Sequence, residues 1–232
     1  KKRDLKYAAK DVKDYLNLLS TTATTFNALK SVAITNEDAT KEAVQQFKSY
    51  LAKARVDDQV ILYYSGHGLL DNQLNYYLAM HDVDFENPSS RGLSYDIFEK
   101  MIDSLPCRNK LVLIDACHSG EVDKEETEIA KNSTSQDVTT TFRSGGAAVK
   151  PKVGLKNSFA LMQQLFTDVQ KGTGATIISA AGGMEYALES KDWNNGVFTY
   201  SLMDALINKK ADLNKDSFIR VSELKQYVSD KV

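Results

Sequence analysis

Two uninterrupted apolar runs, Val60 to Tyr64 and Leu111 to Ile114, constrain the fold of this 232-residue chain more than any other feature. A strand with one wet face alternates polar and apolar residues, whereas a strand that is apolar at every position needs cover on both sides. A parallel sheet flanked by helices supplies that cover. Each run leads into a short motif, Tyr64-Ser65-Gly66-His67-Gly68 after the first and Asp115-Ala116-Cys117-His118-Ser119-Gly120 after the second. Both motifs are therefore expected at the carboxyl ends of neighbouring strands, the edge where open α/β sheets bind ligands.

The remaining periodicity agrees with that class. Leu5, Ala8, Ala9, Val12, Tyr15, Leu16 and Leu19 recur at helical spacing, as do Ala43, Val44, Phe47, Tyr50, Leu51 and Ala54. Asn36, Asp38 and Thr40 offer capping oxygens ahead of the second helix. Further strands are predicted at Val60 to Ser65, Tyr76 to Met80, Leu111 to Ile114 and Ala175 to Ala180, alternating with helices near Tyr95 to Leu105 and Phe198 to Ile207. Such alternation predicts an α/β fold: one domain over residues 1–232, with a mainly parallel central sheet and helices on both faces.

Composition excludes more than it assigns. A formal charge of −2 provides no basic excess to hold nucleic acid or an anionic membrane. No apolar stretch reaches the roughly 20 residues needed to span a bilayer, and no signal peptide is visible. Two cysteines, Cys107 and Cys117, are too few for a disulfide framework. A reducing, cytoplasmic setting is expected.

The two motifs pair a thiol with an imidazole. A cysteine near its reference pKa of about 8.5 is mostly protonated at neutral pH, so it attacks a carbonyl only when a neighbour takes the proton or stabilises the thiolate. Cys117 is the expected nucleophile and His67 the expected base. Taken singly, each has a plainer explanation, a small core residue and a polar loop residue; their joint occurrence favours chemistry. Cys107, just after Pro106, is expected to be an inert packing residue.

With about 50 residues between His67 and Cys117, the paired motifs resemble the caspase, metacaspase and paracaspase superfamily, most closely its metacaspase-like and bacterial members. The order of elements from the first helix to Gly196-Val197-Phe198-Thr199 also looks like that superfamily. The resemblance implies a caspase-like three-layer sandwich and a cysteine endopeptidase in which the Gly68 N–H, with that of Cys117, holds the oxyanion. It also implies a hydrophobic strand ahead of the first helix. Because the chain begins at Lys1 almost directly on that helix, the strand is expected to be missing.

Strand period suggests the specificity. Asp115 shares a face with Cys117, and Ser65 with His67, about 6.6 Å apart along a strand. A carboxylate at that distance beneath the nucleophile suits a cationic P1 side chain, and metacaspase-like enzymes, which carry an acid there, cleave after Arg or Lys. Asp115 argues against an Asp-specific caspase, whose motif carries Gln at this position. The resemblance adds Asp11 on the first helix to the pocket, places Ser65 in its wall and brings Trp193 to the substrate at P2 or beyond. The alternatives are a buried carboxylate that only orders the loop for Asp115, a solvated helix residue for Asp11 and loop packing for Trp193. A non-catalytic scaffold of the same fold is the rival function, and monomer and dimer both stay open.

Residues 121–156 show no sustained apolar period and carry Gly145, Gly146 and Pro151, so a flexible linker is expected. The resemblance implies that it is cleavable. With basic residues such as Lys124, Lys131, Arg143 and Lys150 within it, self-processing is an expectation.

No cofactor is required for this chemistry, but calcium enters as an activator or structural ion. The resemblance suggests Asp82, Asp84 and Asp96 for the first role. For the second, Asp212, Asn214, Asp216 and Glu223 follow the EF-hand spacing, although Ser217 stands where that loop needs glycine. The alternative is a helix-linking turn whose side chains cap backbone groups.

Overall fold

A computed structural model describes residues 4–22, 26–116, 118–119, 141–142, 155–180 and 188–232. In chain order the helices are α1 (Ala8–Thr22), α2 (Lys41–Leu51), α3 (Pro88–Arg91), α4 (Tyr95–Asp103), α5 (Leu155–Thr173), α6 (Val197–Ile207) and α7 (Val221–Ser229), with a 3-10 turn at Asn36–Asp38. The strands are β1 (Gln59–Ser65), β2 (Gly68–Leu70), β3 (Tyr76–Leu78), β4 (Leu93–Ser94), β5 (Asn109–Asp115), β6 (His118–Ser119), β7 (Thr141–Phe142), β8 (Thr176–Ser179), β9 (Leu188–Ser190) and β10 (Asn195–Gly196).

The main sheet has the order β1-β5-β8, and all its pairings are parallel. Successive side chains divide between two cores, as a strand covered on both faces requires. Val60, Leu62, Tyr64, Val112, Ile114 and Ile177 pack with Leu51 of α2, Phe98 and Ile102 of α4, and Phe166 and Val169 of α5. Ile61, Tyr63, Leu111, Leu113 and Ile178 pack with Tyr15 of α1, Phe198 and Leu202 of α6, and Leu224 and Val228 of α7. This is the expected arrangement of three layers. Leu113 is fully buried at the centre, and truncating it to Ala would cost about 2–5 kcal/mol through lost contacts and the residual cavity.

Three expectations needed adjustment. The segment from Tyr76 is not a fourth parallel strand: β3 ends at Leu78 and runs antiparallel to β2 and β4 in a second sheet of order β4-β3-β2-β6. Of the expected α1 positions Tyr15 is buried and Val12, Leu16 and Leu19 are half-buried; the buried stripe is Asp11, Tyr15 and Leu18, in phase with buried Tyr7. An acid occupies a core position there, which a count of apolar residues alone cannot register. Finally, a short strand at Thr141–Phe142 pairs with β9, and α5 begins at Leu155, both inside the expected linker. The rest of residues 121–156 lies outside the described residues. Of the three cap candidates for α2, Thr40 serves, accepting from the Ala43 N–H at 3.2 Å.

Candidate active site

β1 and β5 run side by side with Ser65 opposite Asp115. Beyond them the chain continues through both motifs into β2 and β6, which again pair in parallel, with Leu69 opposite Ser119. The Gly66 N–H donates to the Asp115 carbonyl at 3.1 Å and extends the first pairing towards the second. In sequence, the two register points lie on either side of His67 and of Cys117. Cys117 lies outside the described residues, and Gly68 opens β2 opposite Leu78.

His67 is buried, with its ring edge-on to Phe85 at 5.6 Å. Its backbone carbonyl accepts from the Ala79 N–H at 2.9 Å and from the Tyr64 hydroxyl at 2.8 Å, and that hydroxyl also reaches the Ala79 carbonyl at 2.9 Å. The Tyr64 hydroxyl thus ties the turn to Ala79, just past β3. A Cβ on Gly66 would stand 2.3 Å from the Tyr64 hydroxyl, so the motif needs glycine here for lack of space.

Two carboxylates meet the same end of the sheet on the side covered by α1 and α6. Asp11 and Asp115 are both fully buried. Asp11 Oδ1 accepts from Asn195 Nδ2 at 2.9 Å and from the Gly196 N–H at 3.1 Å, while Oδ2 accepts from Ser65 Oγ at 3.3 Å. Asp115 Oδ2 accepts from Thr199 Oγ1 at 2.9 Å. Hydrogen bonds from neutral donors thus orient both carboxyl groups. The expected neighbours Ser65, Asp11 and Asp115 do come together.

Asn195, Gly196, Thr199 and Tyr63 complete the cluster and were not singled out as site residues from the sequence. Asn195 is aimed by the turn between β9 and β10, in which Asn194 takes a left-handed conformation at φ 54°. Asn195 also donates to Asp14 at 2.8 Å, so one amide spans two acids of α1. Trp193, on the same turn, stacks on Tyr200 of α6 with ring centroids 6.3 Å apart and 28° between planes. That contact packs the turn onto the helix beside the cluster.

Several of the calcium candidates make other contacts. Asp82 pairs with Arg91 at 3.7 Å, and Asp84 accepts from the Glu86 N–H at 3.0 Å. In the loop after α6, Asp212 accepts the N–H groups of Asp216 and Ser217, and Asp216 accepts that of Phe218. Glu223 accepts the Arg220 N–H at 2.9 Å and so caps α7. Arg220 lies against Asp216 and holds its carboxyl below the usual carboxylate range. Ser217 adopts the left-handed conformation, φ 72°, that glycine would take more easily. Among the described residues, no group of three or more His, Cys, Asp or Glu is arranged to hold a metal ion. Cys107 is buried, and burial pushes its thiol up in pKa, as suits a packing residue. No helix among the described residues is long and apolar enough to cross a membrane.

Known proteins share this architecture. A crystal structure of protein GSU0716 from Geobacter sulfurreducens superposes with a TM-score of 0.61 at 16% identity, covering 99% of this chain and 81% of that one. Metacaspase-1 of Meyerozyma guilliermondii is 27% identical over 157 residues, which is 64% of this chain and 35% of the yeast protein. The chain thus spans about a third of that relative's length. The family model for the caspase domain, Peptidase C14, matches residues 1–231, and the chain belongs to that family.

Proposed function

We propose that this chain is a cysteine endopeptidase that cleaves after Arg or Lys, with Cys117 as nucleophile and His67 as base. The observation that carries the reading is the constant register across the two motifs, together with the buried carboxylates beneath it. Ser65 stands opposite Asp115 and Leu69 opposite Ser119, and His67 and Cys117 fall midway between these paired points in the sequence. Asp115 ends β5 two residues before Cys117, and Asp11 comes from α1 to the same end of the sheet, where it accepts from Ser65.

In the proposed reaction His67 takes the thiol proton and the thiolate adds to the scissile carbonyl, with the oxyanion received by the N–H groups of Gly68 and Cys117. Collapse breaks the C–N bond as His67 returns the proton to the departing amine. Water, deprotonated by His67, then hydrolyses the thioester and releases the sulfur. A P1 guanidinium or ammonium would meet Asp115 and Asp11, where low dielectric strengthens each attraction. Cleavage of the chain's own residues 121–156 belongs to the same proposal.

Matched fluorogenic peptides ending in Arg, Lys, Asp or Asn, assayed with and without calcium, test it directly. Turnover is expected for Arg and Lys and is expected to vanish in Cys117→Ala. Preference for Asp would refute the pocket; activity that survives Cys117→Ala would refute the nucleophile. No turnover of any peptide, with unchanged electrophoretic bands after incubation, would favour the scaffold.

A further inference from the structure

We propose that Thr199 is a positioning residue for P1 selectivity, its hydroxyl locked between Tyr63 and Asp115 so that the carboxylate faces the incoming basic group; this rests on the reading above. The Thr199 Oγ1 lies 2.9 Å from Asp115 Oδ2 and 2.6 Å from the Tyr63 hydroxyl. An ionised carboxylate only accepts, so the single Thr199 proton points to Asp115. With Asp115 ionised, as the proposal takes it, Tyr63 donates to Thr199, and the relay runs from Tyr63 through Thr199 to Asp115. Thr199 and Asp115 are both fully buried, so water cannot replace a lost donor at little cost.

The placement follows from the fold. Tyr63 and Ser65 are two apart on β1 and share a face, one serving Asp115 through Thr199 and the other donating to Asp11 at 3.3 Å. One strand face thereby indexes both acids, although they arrive from α1 and β5. Tyr63 is itself held by the Tyr15 ring, with centroids 5.2 Å apart. Thr199 sits three residues into α6, beside the Gly196 N–H that binds Asp11. The branched Thr side chain has few χ1 choices, so the helix delivers the hydroxyl in a fixed direction.

Thr199→Val keeps the shape and removes the hydroxyl, whereas Thr199→Ser keeps the hydroxyl. Thr199→Val is expected to raise KM for Arg and Lys peptides about tenfold, the effect of one hydrogen bond to a charged group, with kcat little changed. Thr199→Ser is expected to recover most of that loss. Alkylation of Cys117 by iodoacetamide, which carries no P1 side chain, is expected to proceed at the wild-type rate in both. In a carbon-13 carboxyl titration the Asp115 midpoint is expected to rise in Thr199→Val and return in Thr199→Ser. Equal behaviour of the two variants, or an unmoved Asp115 midpoint, would overturn the proposal. A wild-type chain that ignores basic peptides would overturn the function reading instead, and the carboxyl titration would still decide the role of Thr199.

Discussion

Acid should weaken this domain through Asp204, and one substitution should expose the effect. Asp204 lies on α6, the helix that carries Thr199, and its carboxylate accepts from Asn208 at 2.7 Å, Lys210 at 2.9 Å and the Tyr227 hydroxyl of α7 at 2.7 Å. Desolvation pushes its pKa up, but the three donors together outweigh it and hold the group at about 2 instead of 3.8. At 1.36 kcal/mol per unit the displacement is worth at most about 2 kcal/mol; Lys210 is over half exposed, so about 1–2 kcal/mol is the better expectation. The depressed pKa makes this stabilisation complete above the unfolded value of 3.8, and it is lost as pH falls through about 2. Tyr227 marks the opposite end. Desolvation first, then Asp204, raises its phenol from 10.0 to about 12, so its contribution is present below pH 10 and is lost as pH rises through about 12. Urea unfolding of wild type and Asp204→Asn from pH 2 to 7 is the assay. The stability difference should be largest near neutrality and shrink by about 1–2 kcal/mol by pH 2. A difference that stays constant across that range would refute the assignment of the charge and leave only a packing effect.

Two further outcomes are expected. The Tyr95 hydroxyl is buried beside the rings of Tyr76 and Phe166 and has no hydrogen-bond partner among the described residues. Tyr95→Phe should therefore leave stability unchanged or raise it by about 1 kcal/mol, and a loss of that size on urea unfolding would show an unrecognised partner. Calcium and a chelator should give the same melting temperature, because Asp212, Asp216 and Glu223 already serve backbone N–H groups and Arg220; a rise of several degrees with calcium would reveal an ion site in that loop.

Local pattern carried the main sheet, because a strand buried on both sides advertises itself at every residue. Val112 and Ile114 face one core and Leu111 and Leu113 the other, so the whole run had to be apolar. The same logic fails for Tyr76 to Leu78, also buried throughout yet antiparallel at the margin of the fold, since burial alone does not encode strand direction. Asp11 was legible as a candidate site residue only through the family resemblance. Its position four residues from both Tyr7 and Tyr15, in phase with Leu18, is a physical signal of the same conclusion, because a charged residue in a helix's buried stripe must have a partner or a task.

Thr199 and Asn195 had no such signal. Their partners stand 84 and 184 residues away in the chain, and neither a buried Thr in an apolar helix nor an Asn in a polar turn departs from ordinary usage. What makes them matter is supplied wholly by the fold: α6 starts where β10 ends, so a single short step of chain presents an amide, a backbone N–H and a hydroxyl to two acids from distant elements. Motif residues can be found from sequence because their neighbours in the chain are also their neighbours in the site. The groups that hold Asp11 and Asp115 reach the same end of the sheet only after β1, β5, α1 and α6 have packed, so the proposed selectivity would rest on tertiary contacts and the proposed reacting pair on local ones.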